Sequence, residues 1–187
     1  MGDYYKKESK AGYEYLLAYK ITVPIYDLTV EFCDSNINKF SRTRDQMIQA
    51  ARSGMQNILE GNKQQGMKGY IKLSGVARGS LEELLKDYHA FVRQKGLAIW
   101  EKERVLREIG EMREIWRILK ATPTLPISPG FPRLPKDPEK SANLMISLVH
   151  QANFLIDKLI VSLKEKHMKE GGLTEELYQK RREYRGF

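Results

Sequence analysis

The sequence predicts an all-α protein, an antiparallel up-and-down four-helix bundle with an extra helix and a polyproline strap before the last helix. Three observations carry this prediction. Apolar residues recur at steps of three and four through most of the 187 residues, as on one face of an α-helix. No run of β-branched residues is flanked by turn pairs, so strands are not indicated. Six prolines at every third position before the last periodic stretch indicate an extended segment there.

The first two core helices are predicted over 13–40 and 41–60, within a single domain covering 1–187. The first apolar stripe consists of Tyr13, Leu17, Ile21, Ile25, Leu28 and Phe32. Pro24 interrupts it, so we expect a kink or a late start there. Ser41 is a natural N-cap for the second helix, and Gly61 is a residue that can end it.

The third core helix, over 67–95, has the clearest pattern. Its stripe is close to a coiled-coil seam and consists of Tyr70, Leu73, Ala77, Leu81, Leu84, Tyr88 and Phe91. The extra helix, over 101–120, carries six bases and five acids around a narrow apolar stripe. That stripe consists of Val105, Ile109, Met112, Trp116 and Leu119. We therefore expect this helix to lie outside the bundle with most of its surface in water.

The strap, over 121–140, contains Pro123, Pro126, Pro129, Pro132, Pro135 and Pro138. A polyproline II rod has three residues per turn and rises about 3.1 Å per residue, so it can return the chain along the whole bundle. Such a rod is also the ligand of PxxP-binding domains, and that alternative stays open. The last core helix is predicted over 141–168. In the tail, over 170–187, we expect either a short helix capped by Thr174 or a solvated terminus.

The composition argues against several classes of protein. No run approaches about 20 consecutive apolar residues, so no membrane span and no membrane partner is predicted. The N-terminus lacks an apolar signal core, so we expect a cytoplasmic protein. The single cysteine, Cys33, excludes an intramolecular disulfide and a cysteine-built zinc site, and we interpret it as a small core residue.

Catalytic motifs are missing as well. The three histidines show no HExxH motif and no metal-ligand spacing, and no nucleophile elbow occurs. We therefore predict no enzymatic activity, no catalytic residue, no metal and no cofactor. A site assembled across space is the one alternative that sequence motifs do not reveal.

Positive charge is concentrated in one part of the chain. The net charge is +8 and the isoelectric point is about 9.4. Between positions 39 and 78 the sequence contains eight basic residues and two acidic ones, Asp45 and Glu60, so this segment has a net charge of +6. The predicted nucleic-acid-binding residues are Lys39, Arg42, Arg44, Arg52, Lys63, Lys68, Lys72 and Arg78. Such a cluster favours binding of RNA or DNA through phosphate groups.

Polar residues on the apolar faces of the second and third helices form a second candidate set. It consists of Ser53, Asn57, Glu60, Ser80 and Glu83, at helical spacings. Buried polar groups must be hydrogen-bonded. We interpret the set as a network that fixes the register of the two helices, and a contact with a ligand or partner is the alternative.

Order and spacing over about 35 residues carry a family resemblance. The segments AARSGMQNILEG (50–61) and YIKLSGVARGSLEELL (70–85) contain the matching positions Ala50, Ala51, Ser53, Asn57, Ile58, Glu60, Gly61, Leu73, Ala77, Gly79, Ser80, Leu81, Glu83 and Leu84. They resemble the bacterial four-helix-bundle proteins whose genes often lie in intervening sequences of large-subunit ribosomal RNA. The accessory variability determinant of diversity-generating retroelements is similar to this group. The segments at 142–160 and 171–182 resemble the C-terminal suffix of a longer subgroup.

The resemblance implies an up-and-down bundle and a homo-oligomer, a pentamer in several members. It also implies nucleic-acid binding through a basic surface, as in the retroelement member. The family usually has arginine before the Ala-Ala pair, where this chain has Gln49. From the resemblance and from the positive charge between 39 and 78, we predict a non-enzymatic nucleic-acid-binding accessory protein acting as a homo-oligomer. The alternative is a protein-interaction or scaffold module without a nucleic-acid role.

Overall fold

A computed structural model describes residues 10–64, 66–121 and 131–186, without the side chains of 10–16 and 176. All regular structure in these ranges is helical, as predicted. The helices are α1 (Lys10–Asn36), α2 (Arg42–Asn62), α3 (Met67–Gln94), α4 (Lys102–Glu108), α5 (Gly110–Ala121), α6 (Pro138–Glu170) and α7 (Leu173–Arg185). The predicted all-α bundle is therefore confirmed.

Contacts between α2 and α3 show that the two helices run in opposite directions. The Ser53 and Ser80 hydroxyls lie 2.8 Å apart, while Gly61, further along α2, faces Tyr70, near the start of α3. Gly61 is thus a buried residue inside α2 and does not end the helix. A short turn, which includes the N-cap position Ser41, also reverses the chain between α1 and α2.

α6 closes the bundle by packing between α1 and α3. Asp157 of α6 is paired with Arg78 of α3. His150, which precedes Asp157 on α6, lies beside His89, which follows Arg78 on α3, with ring centroids 6.2 Å apart. The numbering rises on one helix as it falls on the other, so α6 is antiparallel to α3. Since α1 and α3 share one direction, α6 is antiparallel to both.

Large apolar side chains fill the space between these four helices. Phe32 of α1 makes edge-on contacts with Tyr88 and Phe91 of α3, with ring centroids 4.9 Å apart in each case. The buried Tyr88 hydroxyl lies 3.0 Å from Thr29 Oγ1, so its polar atom is satisfied inside the core. Cys33 is also buried, and burial raises the pKa of its thiol to about 12. This cysteine therefore behaves as a core residue rather than a reactive thiol.

The single helix predicted over 101–120 is two helices, because Ile109 adopts an extended conformation with φ −111° and ψ 96°. The break lets α4 pack on α6 and α5 pack on α1. We refer to α4 and α5 together as the hairpin. Its inward side chains are buried, namely Val105, Ile109, Met112, Ile115 and Leu119, while Trp116 is half-buried. The charged outer face meets water as expected, but the pair covers the bundle closely.

The described part of the strap, 131–137, is not helical and passes α1, where the Leu134 amide donates to Glu31 Oε1 at 3.3 Å. α6 begins at Pro138, earlier than predicted, after Asp137, whose side chain accepts from the Lys140 amide. Pro138 therefore belongs to the helix, since proline is favoured in a first turn, where no amide is needed. The strap prolines at 123, 126 and 129 lie outside the described residues.

In the tail, the expected short helix is α7. The chain enters it through Gly171, whose φ is +74°, and Gly172, whose amide donates to Glu175 Oε2 at 3.0 Å. Glu175 thus satisfies the start of the helix, and the predicted cap, Thr174, lies inside it.

The stretch Pro138–Glu175 is long and apolar enough to cross a membrane by length and composition alone. No such stretch was expected from the sequence. Half of its most apolar window is buried within the protein, and the central helix of a helical bundle passes the same test. The apolar stretch is therefore only weak support for a membrane role.

The approach of α2 to α3 gives a stability prediction. A Cβ atom at Gly54 would lie 2.6 Å from Leu81 Cδ2 and 2.7 Å from its Cγ, within the buried core. Overpacking costs roughly 1–3 kcal/mol and exceeds the gain of about 1 kcal/mol in helix propensity. We expect Gly54→Ala to lower the free energy of unfolding by about 1 kcal/mol in urea titrations. Gly75→Ala is the control: it meets nothing within 4 Å and should stabilise α3. Equal stabilisation by both changes would contradict the close packing.

Candidate nucleic-acid interface

The eight predicted cations do not form one patch. Lys39 and Arg42 lie at the α1–α2 turn, while Lys63 lies at the α2–α3 turn. The 21 residues of α2 separate these ends by about 30 Å. Arg52 is exposed midway along the same helix. The positive segment of the sequence is therefore spread along the bundle.

Two of the eight residues join helices to each other. Arg44 of α2 is half-buried, and its Nη2 donates to Asp34 of α1 at 2.6 Å. Arg78 of α3 donates to Glu82 at 2.8 Å and, through Nε, to Asp157 of α6 at 3.2 Å. The charges of both arginines are therefore largely matched by protein carboxylates.

The ion pair with Arg78 changes the pKa of Glu82. The hydrogen bond from Arg78 holds the pKa of Glu82 below its ordinary value of 4.5. Arg78 thus stabilises the charged form of Glu82 while it links α3 to α6.

The cations at the α2–α3 turn differ from Arg44 and Arg78 because they are not held in salt bridges. Lys63, Lys68 and Lys72 are exposed, and none makes an ion pair with the described residues. Lys68 and Lys72 are four residues apart on α3 and so lie on one face. These three lysines form a positive surface at one end of the bundle.

α7 begins at this same end. A cleft of about 220 Å³ lies between Gly66 and Met67 on one side and Gly172 and Leu173 on the other. Backbone hydrogen bonds lower the pKa of Glu175 most, and the positive charge of Lys68 lowers it further, as expected for a residue close to the α7 start.

One face of α7 combines an aromatic ring with three arginines. Tyr178, Arg181, Arg182 and Arg185 follow the spacing i, i+3, i+4, i+7 and enclose a shallow space of about 260 Å³. All four are exposed, and no acid lies among them. We refer to the three lysines of the turn and these four residues together as the basic end.

The α7 face is a functional candidate that the predicted sites do not include. The sequence predicts for 170–187 only a short helix or a solvated terminus. The signal that could have revealed it is a tyrosine one turn before clustered arginines on a helix.

Of the five predicted network residues, three meet. Ser53 Oγ lies 2.8 Å from Ser80 Oγ, and Asn57 Nδ2 donates to the Ser53 carbonyl at 2.9 Å and to its hydroxyl at 3.1 Å. Glu60 and Glu83 are exposed and stand outside this group. Since these polar atoms bond to each other, the group fixes the register of α2 against α3.

No group of three or more His, Cys, Asp or Glu among the described residues is arranged to hold a metal ion. His89 and His150 form the one prominent pair of titratable rings there, and burial lowers the pKa of His89. The chemistry that this part of the chain offers is mainly that of positive charge and aromatic surface.

Fold and charge define an all-helical bundle protein with a flanking helical hairpin and a cationic end. The chain belongs to the 23S rRNA-intervening sequence protein family, whose sequence model matches residues 14–121. No curated protein and no solved structure matches the chain. The match ends with α5, so the likeness of the C-terminal segments to a longer subgroup stays a prediction.

The roles of Arg78 and Lys72 can be separated by stability. We expect Arg78→Gln to lower the free energy of unfolding by about 1 kcal/mol at pH 7, and Lys72→Gln to change it by less than about 0.5 kcal/mol. The pKa of Glu82 is lowered in the folded state. The contribution of this ion pair to the free energy of unfolding is therefore complete above the unfolded-state pKa of Glu82, and it is lost as the pH falls through the folded-state pKa. The difference between wild type and Arg78→Gln should therefore close below about pH 4 in urea titrations. A difference that does not narrow as the pH falls would contradict the ion pair.

Proposed function

We propose that this protein binds nucleic acid, RNA or DNA, at the basic end, as a non-enzymatic accessory protein acting as a homo-oligomer. One observation carries the proposal. Lys63, Lys68 and Lys72, which lack ion-pair partners in the described chain, lie at the end of the bundle where α7 begins, and α7 carries the aromatic and arginine face.

Cations of this kind gain affinity by releasing counterions from phosphates. The basic end offers six cations, the lysines of the turn and the three arginines of α7. Six phosphate contacts correspond to a slope of about −4 for log affinity against log salt on a single strand. Affinity should then fall roughly 250-fold between 50 and 200 mM salt.

Tyr178 adds a preference for unpaired bases. The residue is 63% exposed and lies beside arginines that can bind the flanking phosphates. A base stacked on an aromatic side chain contributes roughly 1–3 kcal/mol without regard to sequence. Single-stranded segments therefore fit the α7 face better than duplexes, whose bases are already stacked.

Self-association would strengthen such binding, because linked copies act at high effective concentration on one polymer. Apolar side chains at positions four and seven residues apart leave a stripe of α7 open to water, formed by Leu173, Leu177 and Tyr184. An exposed stripe of this kind is typical of a contact between copies. The pentamer implied by the family resemblance is the form that we propose.

The test of the basic end uses two triple charge reversals. Lys63→Glu/Lys68→Glu/Lys72→Glu and Arg181→Glu/Arg182→Glu/Arg185→Glu should each weaken binding of labelled single-stranded RNA by at least about tenfold at 50 mM salt. Fluorescence anisotropy gives the affinities, and circular dichroism checks that the bundle remains folded.

The matched control is Arg93→Glu/Arg113→Glu/Lys136→Glu, which changes net charge equally but away from the basic end. It should change affinity by less than about threefold, through the overall field alone. Equal losses in all three variants, or no binding by wild type at low salt, would refute the proposed interface. Light scattering on the same samples gives the oligomeric state, and a monomer would contradict the homo-oligomer.

Stacking on Tyr178 has its own expected result. Tyr178→Ala should weaken binding of single-stranded RNA about five- to 100-fold and leave binding of duplex DNA nearly unchanged, while Tyr178→Phe retains full affinity. Competition anisotropy with matched lengths of each polymer measures the difference. Equal effects on the single strand and the duplex would show that Tyr178 does not stack on bases.

A further inference from the structure

A second surface lies far from the basic end, in a groove between the α4–α5 hairpin and α6. Its volume is about 680 Å³. Apolar side chains supply most of its lining, chiefly Trp100, Leu106, Trp116, Ile146, Phe154 and Leu155. His89 lines the groove, and Lys68 belongs to the basic end. The two residues are 21 positions apart on α3, so the groove lies about 30 Å from the basic end.

The wall of the groove is held in place before any ligand arrives. Trp100 Nε1 donates to Glu139 Oε1 at 2.6 Å, and the Trp100 amide donates to Asn143 Oδ1 at 2.7 Å. The Arg104 guanidinium covers the Trp100 ring at 3.7 Å from its centroid. Asn143 also donates to the Ala98 carbonyl, which ties the whole approach to α4 onto α6. A site fixed in this way loses little freedom on binding.

Apolar groups in this groove remain in contact with water. Phe154 is 60% exposed and Ile99 is 57% exposed, and both line it. Grooves of roughly 300–1,000 Å³ with mostly apolar walls and a few polar groups are typical small-molecule sites. Covering this surface would release ordered water and favour binding.

The polar groups that line the groove determine the charge of its ligand. They are Lys102, His89, His150, Ser147 and Gln151, and no carboxylate from the described residues lines it. Lys102 is exposed and makes no ion pair within the described chain.

Glu82, the carboxylate that interacts electrostatically with His89, is already hydrogen-bonded to Arg78. An apolar body can therefore fill the groove while an anionic head meets Lys102 or the histidines.

We propose that this groove binds a small amphipathic anion, with an aromatic or alkyl body and a carboxylate, sulfonate or phosphate head. The site depends on the added hairpin, since Ile99, Trp100, Leu106 and Trp116 form its outer wall. This function is separate from nucleic-acid binding and uses different residues.

Two fluorescent probes that share one ring system test the proposal. 8-Anilinonaphthalene-1-sulfonate carries a sulfonate, and N-phenyl-1-naphthylamine is the same body without it. The full-length protein should bind the sulfonate saturably, one probe per chain, about two- to fivefold more tightly than the neutral probe. Lys102→Gln should remove most of this preference and leave the neutral probe unaffected.

Two groove variants and two controls locate the binding. Ser147→Trp fills the groove and should abolish binding of both probes, while Ser35→Trp, on the exposed part of α1, should leave it unchanged. Leu106→Glu, at the rim, is the second variant should Ser147→Trp fail to fold, and it should weaken the sulfonate more than the neutral probe. The lysine triple variant of the basic end should bind both probes as wild type does.

The proposal is overturned if both probes bind equally, if binding is not saturable, or if the groove variants bind as wild type does. It is also overturned if light scattering shows that Leu106→Glu converts an oligomer to a monomer, because a second copy then occupies the groove. RNA titrations of the groove variants should match wild type, so a failure here leaves the basic end untouched.

Discussion

The burial of α6 between α1 and α3, and beneath α4, is the constraint on which the rest of the structure depends. Six successive residues at its start, 141–146, are all buried, which leaves that turn no face toward water. With 33 residues, the helix is about 50 Å long. It starts beside Trp100 and ends beside the α2–α3 turn, so a single element supplies the groove floor and delivers α7 to the basic end.

The two ends of the bundle therefore offer different chemistry. At the α2–α3 turn, exposed cations and a tyrosine suit a polyanion with accessible bases. At the hairpin, Trp100 is fixed by Glu139 and Asn143, and with Trp116 it helps to line an apolar groove that is also lined by Lys102. The hydrogen-bonded group of Ser53, Asn57 and Ser80 lies between these regions and keeps the register of α2 and α3. Rigid helices keep the two surfaces about 30 Å apart, so each can be altered without the other.

Charge in the sequence did not translate directly into a binding surface. Arg44 and Lys63 each add one positive charge to the sequence. Arg44, however, is paired with Asp34 across α1 and α2, while Lys63 faces water. Arg78 is paired with Asp157, a residue 79 positions away. Pairing at that distance depends on how helices pack, which local spacing does not encode. Local sequence does not reveal the arginine face of α7 for a related reason, since its importance depends on α7 starting at the end of the bundle that carries the lysines.

The sequence by itself determined the all-α class and the positions of the bundle helices, because a period of 3.6 in apolar residues is a local property of the chain. The family followed separately, from the order and spacing of residues at 50–61 and 70–85. The sequence also identified Ser53, Asn57 and Ser80 as partners, since their spacing matches facing helices. Only the tertiary structure decided the break at Ile109, the close contact of the hairpin, the groove beside Trp100 and the division of cations into paired and free. Each of these depends on contacts between residues distant in sequence, where packing and charge pairing override local preference.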